Sequence, residues 1–171
     1  INIENDYNLK LKELAVKDGL TGLFNHRSFQ DILGSYIRNS KKENKEVSLL
    51  FMDIDNFKNY NDVNGHQRGD WLLTRLGEVL RNTVGDLGIV TRYGGEEFAV
   101  ILYNQSEDIA LNLGELIRQN IQNTYFIGQE HQPNKHITLS IGVSTYPKVA
   151  KTKKELIELA DNALYRAKSF D

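Results

Sequence analysis

The run VSLLFMDI, from Val47 to Ile54, constrains this chain more than any other feature. It is a short, continuous apolar stretch, the pattern of a β-strand buried on both faces. The segments around it supply helices to cover such a strand. Helical spacing marks residues 25–42, through Phe29, Ile32, Leu33, Tyr36 and Ile37. It marks residues 70–84 through Leu72, Leu73, Leu76, Val79 and Leu80. Residues 107–123 read as a further helix. Residues 153–168 are strongly amphipathic, with Leu156, Ile157, Leu159, Ala160, Ala163, Leu164 and Ala167 on one side. Two strands, 89–93 and 98–103, flank Gly94-Gly95, a hairpin signal, and another is read at 137–146. The order is helix, strand, helix, strand, strand, helix, strand, helix. It argues an α/β sandwich around a partly antiparallel sheet.

A chain of 171 residues fits one domain. At that size roughly 70% of the unfolded surface can be buried without a disulfide or structural metal. The chain has no cysteine, which excludes a disulfide framework, a Cys-ligated zinc, an iron–sulfur cluster and a thiol nucleophile. With 21 basic and 23 acidic residues the net charge is -2, so no basic excess points to non-specific DNA binding. No apolar run approaches the ~20 residues of a membrane span, and no signal peptide is visible. The first residue is Ile1 rather than Met, so a piece of a longer protein is expected. In residues 1–16, Tyr7, Leu11 and Leu14 form a helical stripe. Two turns fit either the end of a coiled-coil linker or a helix packed on its own domain. Residues 18–24, DGLTGLF, read as a loop.

Three clusters carry chemistry. Asp53 and Asp55 end the apolar strand, and alternation puts both on one face. Carboxylates there suit a hard cation such as Mg²⁺, although acids also commonly end strands as caps. Next, Gly94-Gly95-Glu96-Glu97 runs straight into the apolar FAVIL. Glycines let a backbone approach a ligand closely. Uncompensated carboxylates entering a strand are costly, and a metal would compensate them. The plain alternative is a hairpin with exposed acids. Finally, residues 57–70, FKNYNDVNGHQRGD, are dense in Asn, Asp and Gly. Lys58 could meet a phosphate, and Asn61 with Asp70 could match the hydrogen-bonding edge of guanine. By composition alone this stretch reads as a solvated turn between two helices.

Taken in order, the clusters resemble the GGDEF family, the diguanylate cyclase catalytic domain. The resemblance covers residues 18–171. It rests on DGLTGLFNHR (18–27), MDIDNFKNYNDVNGHQRGD (52–70), RYGGEEF (92–98), SIGV (140–143) and ADNALYRAK (160–168).

The resemblance implies a mostly antiparallel sheet flanked by helices. This is the palm-like fold of nucleotidyl cyclases and polymerases, with a ferredoxin-like βαββαβ core. It makes 1–16 a linker or signalling helix and 17–171 the catalytic domain. The implied reaction joins two GTP into cyclic di-GMP and releases two pyrophosphates. Asp53, the Ile54 carbonyl and Glu96 are implied as ligands for Mg²⁺ or Mn²⁺, two ions per half-site. Glu96 is also the implied base for the 3′-hydroxyl, with Glu97 in support. Asn61 and Asp70 match the guanine-reading pair, and Lys58 and Lys168 match phosphate-contacting lysines. The backbone amides of Asn56 and Phe57 would cradle phosphate, and Gly94 and Gly95 would pass close to the α-phosphate. The implied partners are GTP, an antiparallel second copy of the domain and an upstream sensor, with no nucleic acid and no direct membrane contact. The implied location is cytoplasmic, possibly at the end of a membrane-anchored sensor. Asp70 favours GTP over ATP, because adenine lacks the donors a carboxylate accepts.

Three departures stand out. Gly85 and Gly88 replace the Arg and Asp of an inhibitory RxxD motif, so product inhibition through that site is expected to be absent. The chain ends at Asp171 without the family's Gly-Arg-Asn-like tail, so weaker triphosphate binding is expected. His26 replaces a common arginine. The competing expectations are a catalytically silent domain that holds GTP or cyclic di-GMP, and an enzyme that uses ATP. Of the remaining residues, His66 is expected to brace the loop at Gly65, Trp71 to pack in the core, and Lys148 to Lys154 to form a solvated face. His131 and His136 lack metal-ligand spacing.

Overall fold

The computed structural model describes residues 3–169. Among them are six α-helices: α1 (Ile3–Val16), α2 (His26–Glu43), α3 (Phe57–Asn64), α4 (His66–Val84), α5 (Glu107–Asn123) and α6 (Lys153–Lys168). Four strands, β1 (Val47–Ile54), β2 (Ile89–Arg92), β3 (Glu97–Tyr103) and β4 (Leu139–Tyr146), form one sheet. Its order is β2-β3-β1-β4, with every neighbouring pair antiparallel. That order is the ferredoxin-like arrangement expected from the motifs.

β1 has the bounds read from its apolar run, and all of its residues but Asp53 are buried. Its side chains alternate between two cores. Leu50, Met52 and Ile54 join α3, α4 and α5, through residues such as Tyr60, Leu72, Leu76 and Ile117. Val47, Leu49 and Phe51 face α2 and α6, through Phe29, Leu33, Leu156 and Leu164. Fully burying each such side chain contributes about 1.5–3 kcal/mol. The same alternation turns Asp53 to the α2/α6 side.

The helix ends follow from local chemistry. The Asn25 side chain caps α2 by accepting from Ser28 N, and Ser106 and Thr152 cap α5 and α6. α6 lies hard against β4. A Cβ at Gly142 would collide with the α6 backbone at Ala160 and Leu164. That close approach carries Lys168, the last residue of α6, to the mouth of the sheet.

The stretch from Phe57 onward departs from the sequence reading. It is no solvated turn: α3 occupies 57–64, and α4 begins at His66 rather than at residue 70. Asn and Asp are poor helix formers, so local propensity hides α3. Tertiary contacts hold it instead. Phe57 and Tyr60 are buried, and Tyr60 Oη donates to Ile127 O at 2.6 Å. Smaller differences fall at strand ends, where β4 starts at Leu139 and β3 takes in Glu97. Trp71 is partly buried at the core edge, its ring 6.3 Å from Phe126 and under the Arg68 guanidinium. His66 is exposed at the start of α4, and no hydrogen bond from its ring braces the loop among the described residues. Lys148, Lys151 and Lys154 are exposed, as expected of a solvated face.

No residue of α1 is buried, and Tyr7 and Leu14 are 64% and 69% exposed. The last residues of the helix are joined to the start of α2, where Ala15 O accepts from Asn25 Nδ2 and Val16 O from Asn25 N and Ser28 Oγ. Among the described residues no helix is long and apolar enough to cross a membrane. The expectations for Ile1 and for the C-terminal tail fall outside the described residues.

Candidate active site

Asp53 stands one residue from the end of β1, with Glu97 opposite it in β3 and Ser140 opposite it in β4. The Gly94-Gly95 turn folds the chain so that Ile54 N donates to Glu96 O at 3.3 Å, which brings Glu96 beside the end of β1. Arg92 clamps the turn. Its guanidinium donates to Gly95 O at 2.8 and 3.2 Å and to both Asp18 carboxylate oxygens at 3.1 Å. That ion pair is mostly shielded from water and ties the signature turn to the 18–24 loop. His26 stacks on Tyr93 with ring centroids 4.3 Å apart, and its Nδ1 lies 2.9 Å from Tyr93 O. The histidine thus packs against the residue that precedes the glycines.

The two strand-end aspartates differ sharply. Asp55 is buried and accepts from Thr138 Oγ1 and Ser140 Oγ at 2.7 Å each, with Lys168 Nζ at 3.3 Å. Among the described residues Asp53 Oδ1 is buried with no hydrogen-bond partner, and Lys168 Nζ is 3.7 Å away. Burial pushes the Asp53 carboxyl above the usual range despite that lysine. Burial, and then the Asp53 charge, push Glu96 up to about 7. Glu97 is raised by the same two causes. One lysine therefore serves several crowded carboxyls, and an unpartnered buried oxygen faces the site. Both features fit a divalent cation. Among the described residues no group of three or more His, Asp or Glu could hold a metal alone. Mg²⁺ is in general held through one or two carboxylates, with its other oxygens from phosphate and water.

On the other side of β1, Asn56 adopts a left-handed conformation (φ 54°) and α3 starts immediately after it. Lys58 is exposed on the first turn of α3. The Asn61 amide lies against Gly69, where a Cβ would collide with Asn61 Oδ1. This packing brings Asn61 next to the residue preceding Asp70, which is exposed on α4. Asn61 Oδ1 is buried and unpartnered. The structure thus gathers Asp53, Glu96, Glu97 and Lys168 at the strand mouth, and sets Asn61 of α3 against Gly69 of α4, one residue before the exposed Asp70. Gly85–Leu87 form a 3-10 turn, and Gly88 packs on Leu102 and Ile101 O.

Sequence reasoning missed Arg92, Thr138, Ser140 and Gln132. The signal for Arg92 was a charge ending a strand beside the glycines. Gln132 sits in a polar loop that gave no signal.

The family model described as diguanylate cyclase, GGDEF domain, matches residues 15–170. Diguanylate cyclase A of Treponema denticola is 37% identical over 164 residues, which cover 94% of this chain and 44% of that protein. The chain thus spans less than half the length of the curated relatives it matches. The GGDEF domain of DgcB from Caulobacter crescentus, solved with c-di-GMP, superposes with a TM-score of 0.82 at 30% identity, covering 91% of this chain and 89% of that one. The coiled coil and GGDEF domain of DgcB reaches a TM-score of 0.87 at 27% identity, covering 97% and 87%. The fold is that of palm-like nucleotidyl cyclases. With its signature turn, its strand-end carboxylates and its topology in agreement, the chain belongs to the GGDEF domain family of diguanylate cyclases.

Proposed function

We propose that this domain condenses two GTP into cyclic di-GMP, each copy holding one GTP and reacting with the other across an antiparallel homodimer. One observation carries the reading: a buried, unpartnered Asp53 oxygen beside Glu96, whose carboxyl is pushed up to about 7. Asp53, Glu96 and the Ile54 carbonyl would hold the divalent cation. When bound, that ion supplies charge neutralisation at the α-phosphate and the leaving pyrophosphate.

The chain's own groups do the rest. A carboxyl near pH 7 suits proton transfer, so Glu96 takes the proton of the attacking 3′-hydroxyl. The new bond joins that 3′-oxygen to the α-phosphorus of the facing GTP, and the bond to pyrophosphate breaks. A second, symmetric step closes the ring. Lys168 offsets charge at the mouth, and Lys58 approaches the phosphates. Asn61 and Asp70 read guanine: the Asp70 carboxylate accepts from N1–H and N2–H. The exposed α1 is the linker that sets two copies face to face. This follows the DgcB structure, in which a coiled coil accompanies the domain.

The test is incubation of the dimerised domain with GTP and Mg²⁺, following cyclic di-GMP and pyrophosphate. Production of both at one to two is expected. Tight GTP binding with no product would overturn the reading in favour of a silent binding domain.

A further inference from the structure

Gln132 is 4% exposed, yet its side chain is polar at both ends and every contact it makes is specific. Its Nε2 donates to Asn56 O at 3.1 Å and to Asp55 O at 3.4 Å. Its Oε1 accepts from Asn59 Nδ2 at 2.7 Å. Asn59 Nδ2 also reaches His131 O at 3.3 Å. The loop that carries Gln132 is itself pinned. Gln129 Oε1 accepts from Phe126 N at 2.9 Å, and Tyr60 Oη donates to Ile127 O at 2.6 Å. A single side chain from a distant loop therefore grips the link between β1 and α3.

The consequence follows from peptide geometry. In a planar trans peptide the carbonyl of one residue and the N–H of the next point in opposite directions. Gln132 holds the carbonyls of Asp55 and Asn56, the second together with Tyr60 N, which donates to Asn56 O at 3.1 Å. It thereby aims the N–H groups of Asn56 and Phe57 away from itself. Among the described residues neither N–H donates to a protein acceptor. They are two free donors at the N-terminus of α3, beside a residue held in the left-handed region.

Resting on the cyclase reading above, we infer that Gln132 is a positioning residue for the triphosphate. It sets the two peptide planes whose N–H groups receive phosphate oxygens. It touches no substrate and acts only through the Asp55-Asn56-Phe57 backbone. Glu at this position keeps the acceptor for Asn59 but loses both donors and faces two carbonyl oxygens. Met keeps the volume and loses everything polar.

The experiment titrates the dimerised domain with 3′-deoxy-GTP and Mg²⁺, a probe that cannot cyclise. Binding is followed by calorimetry and by the ¹H–¹⁵N signals of Asn56, Phe57 and Asp70. Wild type is expected to bind with shifts at all three amides, and wild type that does not bind overturns the cyclase reading itself. Q132E and Q132M are expected to bind about tenfold more weakly or worse, since two loop hydrogen bonds are lost. At saturation they keep the Asp70 shift and lose those of Asn56 and Phe57. In turnover, KM for GTP rises while kcat stays within about twofold, whereas a folding defect would lower the active fraction and leave KM alone. Q132E that binds within about twofold of wild type, with the Asn56 and Phe57 shifts intact, overturns the inference. Should both Gln132 variants unfold, N59A decides, because it removes the donors to Gln132 Oε1 and His131 O and leaves residues 55–57 and Gln132 itself unchanged. A two- to fivefold weakening of roughly the size of one lost hydrogen bond supports the inference, and unchanged affinity overturns it.

Discussion

Two corners of one strand end carry the same residue type and opposite chemistry. At Asp55, hydroxyls from Thr138 and Ser140 and the Lys168 ammonium satisfy a buried carboxylate. Two residues earlier, Asp53 is left with an unpartnered buried oxygen, beside a second carboxyl in Glu96. Buried polar groups are normally paired. The satisfied corner is held together by its own bonds, and the other carries a free-energy cost that protonation or a bound cation would lower. On the proposed reading, the difference separates a carboxylate that builds the site from carboxylates that work in it.

The largest expected effect breaks the working corner. Glu96→Gln should lower the rate of cyclic di-GMP formation by about 10²–10⁴-fold, with the fold retained by circular dichroism. A milder loss would mean that Glu96 is not the proton acceptor. Next comes base reading, which lies outside both corners. Asp70→Ser should cut the preference for GTP over ATP by about 10²-fold in kcat/KM. An unchanged ratio would remove Asp70 from that role.

The building corner should fail differently. Asp55→Asn can still accept through one oxygen, but it loses the other acceptor and the charge that pairs with Lys168. It should cost about 2 kcal/mol of stability, read in urea unfolding. Should the same change abolish turnover in a domain of undiminished stability, the contrast between the two aspartates would collapse.

The smallest effect concerns pH. The folded value of Glu96 lies above the ordinary glutamate range, at about 7. Its contribution therefore favours the folded, metal-free domain at low pH and is lost as pH rises through 7. With EDTA present, Glu96→Gln should melt about 2–4 °C above wild type at pH 8. The gap should narrow from pH 8 to pH 5 and close by about pH 4, where the carboxyl is protonated in both the folded and unfolded chain, and Mg²⁺ should reverse its sign at pH 8. Differential scanning calorimetry reads each condition. A gap independent of pH would place the strain elsewhere.

Legibility followed the strength of the local signal. β1, α5 and α6 have the bounds that apolar patterning predicts, because each buries a continuous stripe or run. α3 was hidden because Asn and Asp favour turns, and the burial of Phe57 and Tyr60 that overrides them depends on distant residues. The site residues were legible as motifs, but their states were not. Asp53 and Asp55 look alike in sequence. Only β4 and its flank, some 85 residues later, supply the hydroxyls that tell them apart. Gln132 carried no local signal, since its function lies wholly in which carbonyls it meets.

By itself, then, the sequence determined the layered fold, the family and the order of the chemical motifs, because hydrophobic period and turn chemistry act over neighbouring residues. Tertiary structure alone decided which carboxylate is left unpaired, where Lys168 is delivered by the close packing of α6 on Gly142, and which way the Asn56 and Phe57 amides face. These depend on distances between segments far apart in the chain, and a hydrogen bond or a buried charge responds to distance and not to sequence separation.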